Sequence, residues 1–186
     1  MSAVFIAFLL TALVSIAGRE QVRAARLAAA RGDGMAVLAL GAISIVLTTA
    51  LAAWLGTAMA PLLQSAAARW MFVAFAIGFA AFEVALLRAP KAPEEPTRSL
   101  GALCIVLLAA HATDAARFAV LALAVATGQP VLVAAGGIVG SLAALALAVA
   151  TGAAWERRVP VRALAIGTAL VLLVAAFAVA LWARST

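Results

Sequence analysis

Apolar residues fill almost all of six segments of the chain, and short polar stretches separate these segments. Each segment approaches the ~20 residues that a helix needs to cross the hydrocarbon core of a bilayer. The alternating patterns of about ten residues that are typical of outer-membrane strands are absent. The pattern therefore predicts an all-α integral membrane protein with six transmembrane helices, at residues 2–17, 35–57, 70–87, 100–126, 131–154 and 161–183.

The composition supports a membrane location and argues against several functional classes. Of the 186 residues, 68% are hydrophobic and only 11% are charged, whereas a soluble domain is about half apolar and about a quarter charged. The net charge of +6 comes from basic residues scattered at segment ends, where membrane topology places them, so it does not indicate a nucleic-acid partner. We find no catalytic triad spacing and no nucleotide motif, and expect a protein that is not an enzyme and needs no cofactor.

A repeat divides the chain near its midpoint. The longest polar connection, "RAPKAPEEPTR" at 88–98, separates two halves that align at an offset of 96 residues. Three glycine pairs match at this offset, and glycines mark turns and close helix contacts. The pattern predicts two three-helix repeats, at 1–87 and 100–186, joined by a Pro-rich linker at 88–99. Because three is odd, the second repeat must enter the membrane from the opposite side, as in inverted-repeat transporters.

Basic residues in the short loops predict the orientation of the chain. Cytoplasmic loops carry an excess of Lys and Arg, and the loops after the first, third and fifth segments are the more basic ones. We therefore expect both termini outside a bacterial-type inner membrane and the 88–99 linker in the cytoplasm. The residues that decide this are Arg31, Arg88, Lys91, Arg98, Arg157, Arg158 and Arg162 on one side, against Arg69 and Arg184 on the other.

The offset aligns "SIAGREQ" at 15–21 with "HATDAAR" at 111–117. About eleven apolar residues precede His111 in its segment and about nine follow Arg117, so the second copy lies near the membrane midplane. In a continuous helix, a spacing of three places His111, Asp114 and Arg117 within about 120°. Charged residues at this depth normally face a partner or a cavity. We expect Asp114 to lie within about 4 Å of a guanidinium, supplied by Arg117 or, across the repeats, by Arg19 or Arg23.

Two interpretations are open for the first copy. If the first helix continues to residue 30, Ser15, Arg19, Arg23 and Arg26 lie within an arc of about 80°, and Glu20 can pair with Arg23. Alternatively the helix ends at Gly18 and the arginines mark the cytoplasmic interface. Glu83, near the end of the third segment, is expected either to reach the interface, to pair with an arginine, or to take part in a transport path.

The two copies resemble the motifs of the Gdt-type cation exchangers, a family in the lysine-exporter superfamily. That family has two three-helix repeats, each with a motif E-x-G-D-(K/R)-(S/T)-Q near the middle of its first helix. Carried over residue by residue, Ser15 and Gly18 stand at the two acidic positions of the first motif, while the basic residue and the glutamine are kept in Arg19 and Gln21. In the second motif His111 stands for glutamate, Asp114 is retained, and Arg117 replaces the glutamine.

The resemblance implies exchange of manganese or calcium for protons, but the motif acids are mostly missing. One of four survives, and hard divalent cations need several oxygen ligands. Asp114 and His111 are the candidate metal ligands, and histidine can also carry protons near neutral pH. We expect a secondary transporter with a degenerate cation site. The candidate path residues are Ser15, Gly18, Arg19, Gln21, Arg23, His111, Asp114 and Arg117, with Glu20 and Glu83 as a second tier.

Two alternatives keep the fold and change the function. Arg19, Arg23 and Arg117 could hold an anionic or amphoteric solute, because guanidinium groups recognise carboxylates and phosphates. Otherwise the charges act as interhelical pairs in a non-transporting membrane scaffold. The expected partners are the lipid bilayer and a small ion or solute, and the sequence does not fix the oligomeric state.

Overall fold

The structure is a computed structural model that describes residues 2–86 and 99–185, apart from the side chains of Glu156 and Arg158. The predicted linker therefore lies outside the described residues, except for Ser99. Every regular element in the described part is a helix, which confirms the all-α prediction. The helices are α1 Ser2–Ala17, α2 Arg19–Arg31, α3 Gly34–Met59, α4 Ala66–Ala85, α5 Leu100–Ala112, α6 Ala115–Thr127, α7 Pro130–Thr151, α8 Trp155–Arg158 and α9 Val161–Ala183.

Apolar helices suited to a multi-pass membrane protein make up most of this fold. Four spans are long and apolar enough to cross a bilayer, and the number rises to six if the bent pairs α1–α2 and α5–α6 each count as one. The outer surface is apolar as well, since Val171, Val174 and Phe177 of α9 are each more than half exposed. An apolar surface of this kind suits contact with lipid. The four spans are Gly34–Leu62, Ala66–Ala85, Pro130–Ala154 and Val161–Ala183.

Breaks interrupt the helix predicted at 100–126, and the first helix where one of the two interpretations continues it to residue 30. The chain bends by 62° between α1 and α2, and by 50° between α5 and α6. Gly18 (φ −76°, ψ 146°) and Asp114 (φ −69°, ψ 145°) are extended at these points. Glycine is a weak helix former and aspartate favours the residue that precedes a helix. The prediction of one continuous helix at 100–126 is wrong, and so is the interpretation that continues the first helix to residue 30. Helix 1 does end at Gly18, but the arginines that follow begin a second helix.

The boundaries of the helices repeat at the offset predicted from the glycines. Helices α2 and α6 span 19–31 and 115–127, and α3 and α7 begin at 34 and 130. Gly32 and Gly128 end α2 and α6 with φ of 68° and 63°, a left-handed conformation that favours glycine and terminates helices. The local structure of the two halves is therefore repeated.

The two halves interlock through close helix contacts. Helix α1 packs along α7, and α3 packs against α5, α6 and α7. Gly136 and Gly140 permit the first contact, because a Cβ at either position would overlap α1 at the carbonyl of Val4 or the hydroxyl of Thr11. Thr11 Oγ1 donates to the carbonyl of Gly137 at 3.3 Å. In lipid, such close packing and interhelical hydrogen bonds are the main forces that hold helices together.

Candidate functional site

The two helix breaks lie against each other inside the protein. A Cβ built on Gly18 would lie 3.8 Å from Asp114 Oδ1, and Asp114 is only 1% exposed. Helices α2 and α6 both begin at this point. We name it the break site and define it by the residues around the two breaks, Ser15, Gly18, Gln21, Thr49, His111, Asp114, Arg117 and Ser141.

Asp114 lies where two helices begin. Its Oδ1 accepts from the backbone N–H of Ala116 at 3.4 Å and so caps α6. Helix α2 has no side-chain cap of its own, since Gly18 precedes it, and the same Asp114 oxygen lies next to that glycine. The N-terminus of a helix carries partial positive charge and favours an anion. The single carboxylate is therefore placed to stabilise the beginnings of both half-helices.

Arg117 holds the break site to three other helices. Its Nη1 donates to Thr49 Oγ1 at 2.7 Å and to Ser141 Oγ at 3.3 Å, and its Nε donates to the carbonyl of His111 at 3.2 Å. Its Nη2 is 3.8 Å from Asp114 Oδ2. The prediction that Asp114 lies within about 4 Å of a guanidinium is confirmed, with Arg117 as the partner. The predicted common face of His111, Asp114 and Arg117 on one helix is wrong, because Asp114 lies between α5 and α6.

Two hydroxyl residues of the site were missed by sequence reasoning. Thr49 in α3 and Ser141 in α7 are fully buried, and each contacts Arg117. Ser141 is also 3.3 Å from Ser15 Oγ in α1, which joins a predicted site residue to the arginine. The available sequence signal was a hydroxyl in the middle of an apolar segment, where hydrocarbon offers it no partner.

The charges of the first copy form a second group, directed toward α4. Arg19 bonds Glu83 at 2.8 Å and Glu20 at 3.3 Å, and Arg23 bonds Glu20 at 3.0 Å. The predicted pairs of Glu20 with Arg23 and of Glu83 with an arginine are confirmed. The predicted common face is wrong, because the bend at Gly18 directs Ser15 to α7 while Arg19 reaches α4. No pair of Arg19 or Arg23 with Asp114 occurs among the described residues.

These arginines are neither deeply buried nor simple surface flanks. The side chains of Arg19 and Arg23 are 30% and 33% exposed, and Arg26 is half-buried. Their acidic partners are more deeply buried, at 3% for Glu20 and 10% for Glu83. The opening half of α2 therefore carries its cations at the edge of the protein and its acid inside.

The two charged groups adjoin to form one network. Glu83 lies near the backbone N–H of Ala115, the first residue of α6, and Glu20 and Glu83 are both close enough to Asp114 for the like charges to repel. Among the described residues three arginines thereby face three carboxylates, so this network is balanced in charge when all three acids are ionised and the histidine is neutral. Its charged members are Arg19, Glu20, Arg23, Glu83, Asp114 and Arg117.

His111 and Gln21 complete the break site. His111 Nδ1 is 2.8 Å from the carbonyl oxygen of Leu107. A carbonyl can only accept, so Nδ1 carries the hydrogen and Nε2 of the neutral ring is an acceptor. Gln21 is 1% exposed. Its amide nitrogen, its amide oxygen and His111 Nε2 have no hydrogen-bond partner among the described residues.

The predicted metal ligands do not form a cluster of the size that a hard cation needs. Within the described ranges, no group of three or more His, Cys, Asp and Glu side chains is arranged to hold a metal ion. Asp114 is engaged by Arg117, and Glu20 and Glu83 by Arg19. Calcium and manganese take several oxygen ligands, which these acids would supply only after losing their arginine partners.

Comparison with known proteins leaves the family open. No protein-family model matches the chain, and no curated protein or solved structure is significantly similar to it. The likeness to the Gdt-type exchangers therefore rests on the pattern of the two motifs and stays a hypothesis.

Proposed function

We propose that the chain is a multi-pass secondary transporter of a bacterial-type inner membrane, built as two inverted three-helix repeats of the Gdt type, whose solute passes through the break site. One observation carries this proposal: the two broken helices meet, with Gly18 adjoining Asp114. Transporters of this kind place their solute sites where discontinuous helices expose half-helix ends and irregular backbone. Non-helical backbone at membrane depth is tolerated only within protein or beside a water-filled cavity.

The charged network supports the same proposal. Each charged side chain at the centre of a membrane helix costs roughly 2.5–3.5 kcal/mol on insertion scales, and such residues usually mark functional paths. Asp114 and Arg117 are almost fully buried. Arginines that served only as interfacial anchors would lie at the membrane surface. The burial of Arg117 with Asp114 therefore supports a role inside the membrane.

The pairing of the acids supports a degenerate cation site. The Gdt-type motif suggests manganese or calcium exchange for protons, but Glu20, Glu83 and Asp114 each have an arginine within ion-pair distance. A divalent cation entering this network would meet the repulsion of three guanidinium groups. We therefore expect a different small solute as the cargo, anionic or amphoteric.

A non-transporting scaffold of the same fold is the second candidate. The bond between Arg19 of α2 and Glu83 of α4 favours it, because an interhelical ion pair can serve packing alone. Interhelical polar contacts in membranes contribute about 0.6 kcal/mol on average, so the network as a whole would help to hold the helices together.

A flux assay separates these candidates. The purified protein in liposomes would be tested for uptake of manganese, calcium and a panel of small anions and zwitterions, with and without a proton gradient. We expect uptake of a small solute above that of empty liposomes. Arg117→Gln should abolish it, whereas Arg69→Gln, which removes the same charge from an exposed position, should not.

Two other outcomes of the assay would contradict part or all of the proposal. Exchange of manganese or calcium that is lost on Asp114→Asn would show that one carboxylate suffices, and the degenerate-site proposal would be wrong. Absence of uptake for every solute, from protein that is folded and correctly inserted, would favour the scaffold.

The proposed orientation can be tested by cysteine labelling. We expect both termini outside and the 88–99 linker in the cytoplasm, because Arg88, Lys91 and Arg98 outweigh the basic residues of the opposite side. In a Cys104→Ser background, Ala92→Cys should react with a membrane-impermeant maleimide only after the cells are permeabilised. Labelling in intact cells would reverse the orientation.

A further inference from the structure

Several polar atoms of the break site are buried without a hydrogen-bond partner among the described residues. They are both amide atoms of Gln21, His111 Nε2, Asp114 Oδ2 and Arg117 Nη2. Each of these four residues is at most 4% exposed. A buried polar atom that makes no hydrogen bond is costly, and the great majority of such atoms have partners. Asp114 Oδ2 and Arg117 Nη2 form an ion pair with each other at 3.8 Å, so His111 Nε2 and the Gln21 amide are the groups that lack any partner among the described residues. Their burial beside this long ion pair indicates a ligand.

Contacts between the helices direct His111 and Gln21 toward the break. Arg117 contacts His111 and Asp114 directly. Leu103 and Leu107 of α5 belong to the same buried cluster as Ala24 and Leu27 of α2. His111 lies one turn beyond Leu107 toward the break, and Gln21 lies one turn before Ala24 on the same side. The packed faces of α5 and α2 thus carry His111 and Gln21 to the break site.

The unpartnered atoms include both acceptors and donors. Asp114 Oδ2 and Gln21 Oε1 accept, and in the neutral ring His111 Nε2 also accepts because Nδ1 holds the hydrogen. Arg117 Nη2 and Gln21 Nε2 donate. The distance of 3.8 Å between Asp114 Oδ2 and Arg117 Nη2 exceeds the ~2.7–2.9 Å of a charge-assisted hydrogen bond. A solute can therefore bridge this pair, donating to the carboxylate and accepting from the guanidinium.

The charge balance of the network selects the class of solute. With the three acids ionised, three arginines already face three carboxylates among the described residues, and Asp114 and Arg117 are shielded from water. A solute with net charge would leave one buried charge without a counter-charge, which is strongly unfavourable in a medium of low dielectric constant. A zwitterion, or an uncharged molecule with a donor and an acceptor, keeps the balance.

We infer that the break site binds a small, net-neutral polar solute, which donates to Asp114 and His111 and accepts from Arg117, while Gln21 makes bonds of both kinds. This inference rests on the proposed transport function and deepens it by naming the substrate class. It excludes the divalent cations that the motif resemblance suggests. It also excludes anionic solutes, and leaves zwitterions and uncharged polar molecules as the substrate class.

The test uses four probes of similar size and different charge. Glycine is a zwitterion, glycolamide is uncharged, methanesulfonate is an anion and tetramethylammonium is a cation. Binding to the purified protein and uptake into proteoliposomes, corrected for empty liposomes, would be measured for each. We expect binding of glycine or glycolamide to exceed that of either ion by at least tenfold. Stronger binding of an ion would overturn the inference.

Gln21→Met tests whether the amide binds the solute or merely occupies space. The substitution removes two buried atoms that lack partners, so thermal stability should stay equal or rise. Affinity for the bound probe should fall about tenfold, which is the loss expected for about one hydrogen bond. Gln64→Met, at an exposed position, is the matched control and should change neither. Lower stability with unchanged affinity would show that Gln21 has a structural role only.

The paired measurements distinguish failure of this inference from failure of the transport proposal. Binding of glycine or glycolamide without uptake would keep the inference and contradict transport. Uptake of an ion that is lost on Arg117→Gln would keep transport and contradict the inference. Absence of both binding and uptake for all four probes would contradict both.

Discussion

The two helix breaks occupy equivalent positions in the repeat but differ in construction. At the first break Gly18 contributes no side chain, and the charges that follow it spread toward α4 and the surface. At the second break Asp114 caps α6, and Arg117, at 4% exposure, is fixed to α3 and α7 through Thr49 and Ser141. The first break is therefore followed by partly exposed charges, whereas the second break contains the buried pair of Asp114 and Arg117.

The difference shows how the two breaks can share a single acid. Because Gly18 lacks a side chain, Asp114 can lie beside it and face the N-terminal ends of both half-helices. The Gdt-type motif has an acid at each of these positions, and two carboxylates side by side would need a cation or a shared proton between them. A single carboxylate requires one positive charge, and Arg117 supplies it.

The largest effect is expected from breaking the buried pair. Arg117→Leu leaves Asp114 charged and without its cation, and it removes the hydrogen bonds to Thr49 and Ser141. We expect a loss of about 3–5 kcal/mol in the free energy of unfolding, measured in bicelles by steric trapping. Adding Asp114→Asn should recover part of this loss, because the carboxylate no longer needs a counter-charge. Strictly additive losses would contradict the pairing.

A second acid at the first break should have the next largest effect. Gly18→Asp brings a carboxylate close to Asp114, and two like charges at about 4 Å repel by roughly 4 kcal/mol at an effective dielectric constant of 20. We expect Gly18→Asp to be less stable than Gly18→Asn by roughly 2–4 kcal/mol. The comparison isolates charge, because both side chains meet the carbonyls of Val14 and Ser15 equally. In an Asp114→Asn background the difference should nearly disappear; if it persists, the breaks do not adjoin.

The smallest effect is expected at the exposed edge of the network. Arg19→Gln removes the partner of Glu83, but Arg19 is 30% exposed, so water screens and partly replaces the lost charge. We expect a cost of about 1 kcal/mol or less, which is several times smaller than that of Arg117→Leu. Arg69→Gln serves as the control for loss of a charge away from the network. A cost at Arg19 equal to that at Arg117 would show that the two breaks are equally buried.

Patterns along the sequence predicted much of the fold. The two helix breaks could not be predicted in this way, because they depend on contacts between distant segments. The apolar segments and the glycine offset depend on neighbours in sequence, and the helix boundaries follow them closely. Gly18 and Asp114 interrupt apolar runs that remain compatible with a continuous helix. Their bends become favourable because each break covers the other, and this contact joins residues that are 96 positions apart.

The site was predicted in part for the same reason. Asp114 and Arg117 are three residues apart, so the sequence alone predicted that their side chains could pair, with or without a break in the helix. Thr49 and Ser141 reach Arg117 from other helices, across 68 and 24 residues, and no pattern near Arg117 points to them. Arg19 points toward Glu83 because of the bend at Gly18. The interpretation with one continuous first helix contains no such bend and so could not predict this direction.

The close contact of α1 with α7 has a consequence for biosynthesis. The glycines that admit α1, Gly136 and Gly140, belong to the second half of the chain, as do the partners of Thr11 and Ser15, each 126 residues downstream. A nascent chain that has not yet produced α7 therefore holds Ser15 in the bilayer without Ser141, while Thr11 still donates to the carbonyl of Ala7 in its own helix at 2.7 Å. Helix α1 can therefore reach its final packing only after α7 has been synthesised and inserted.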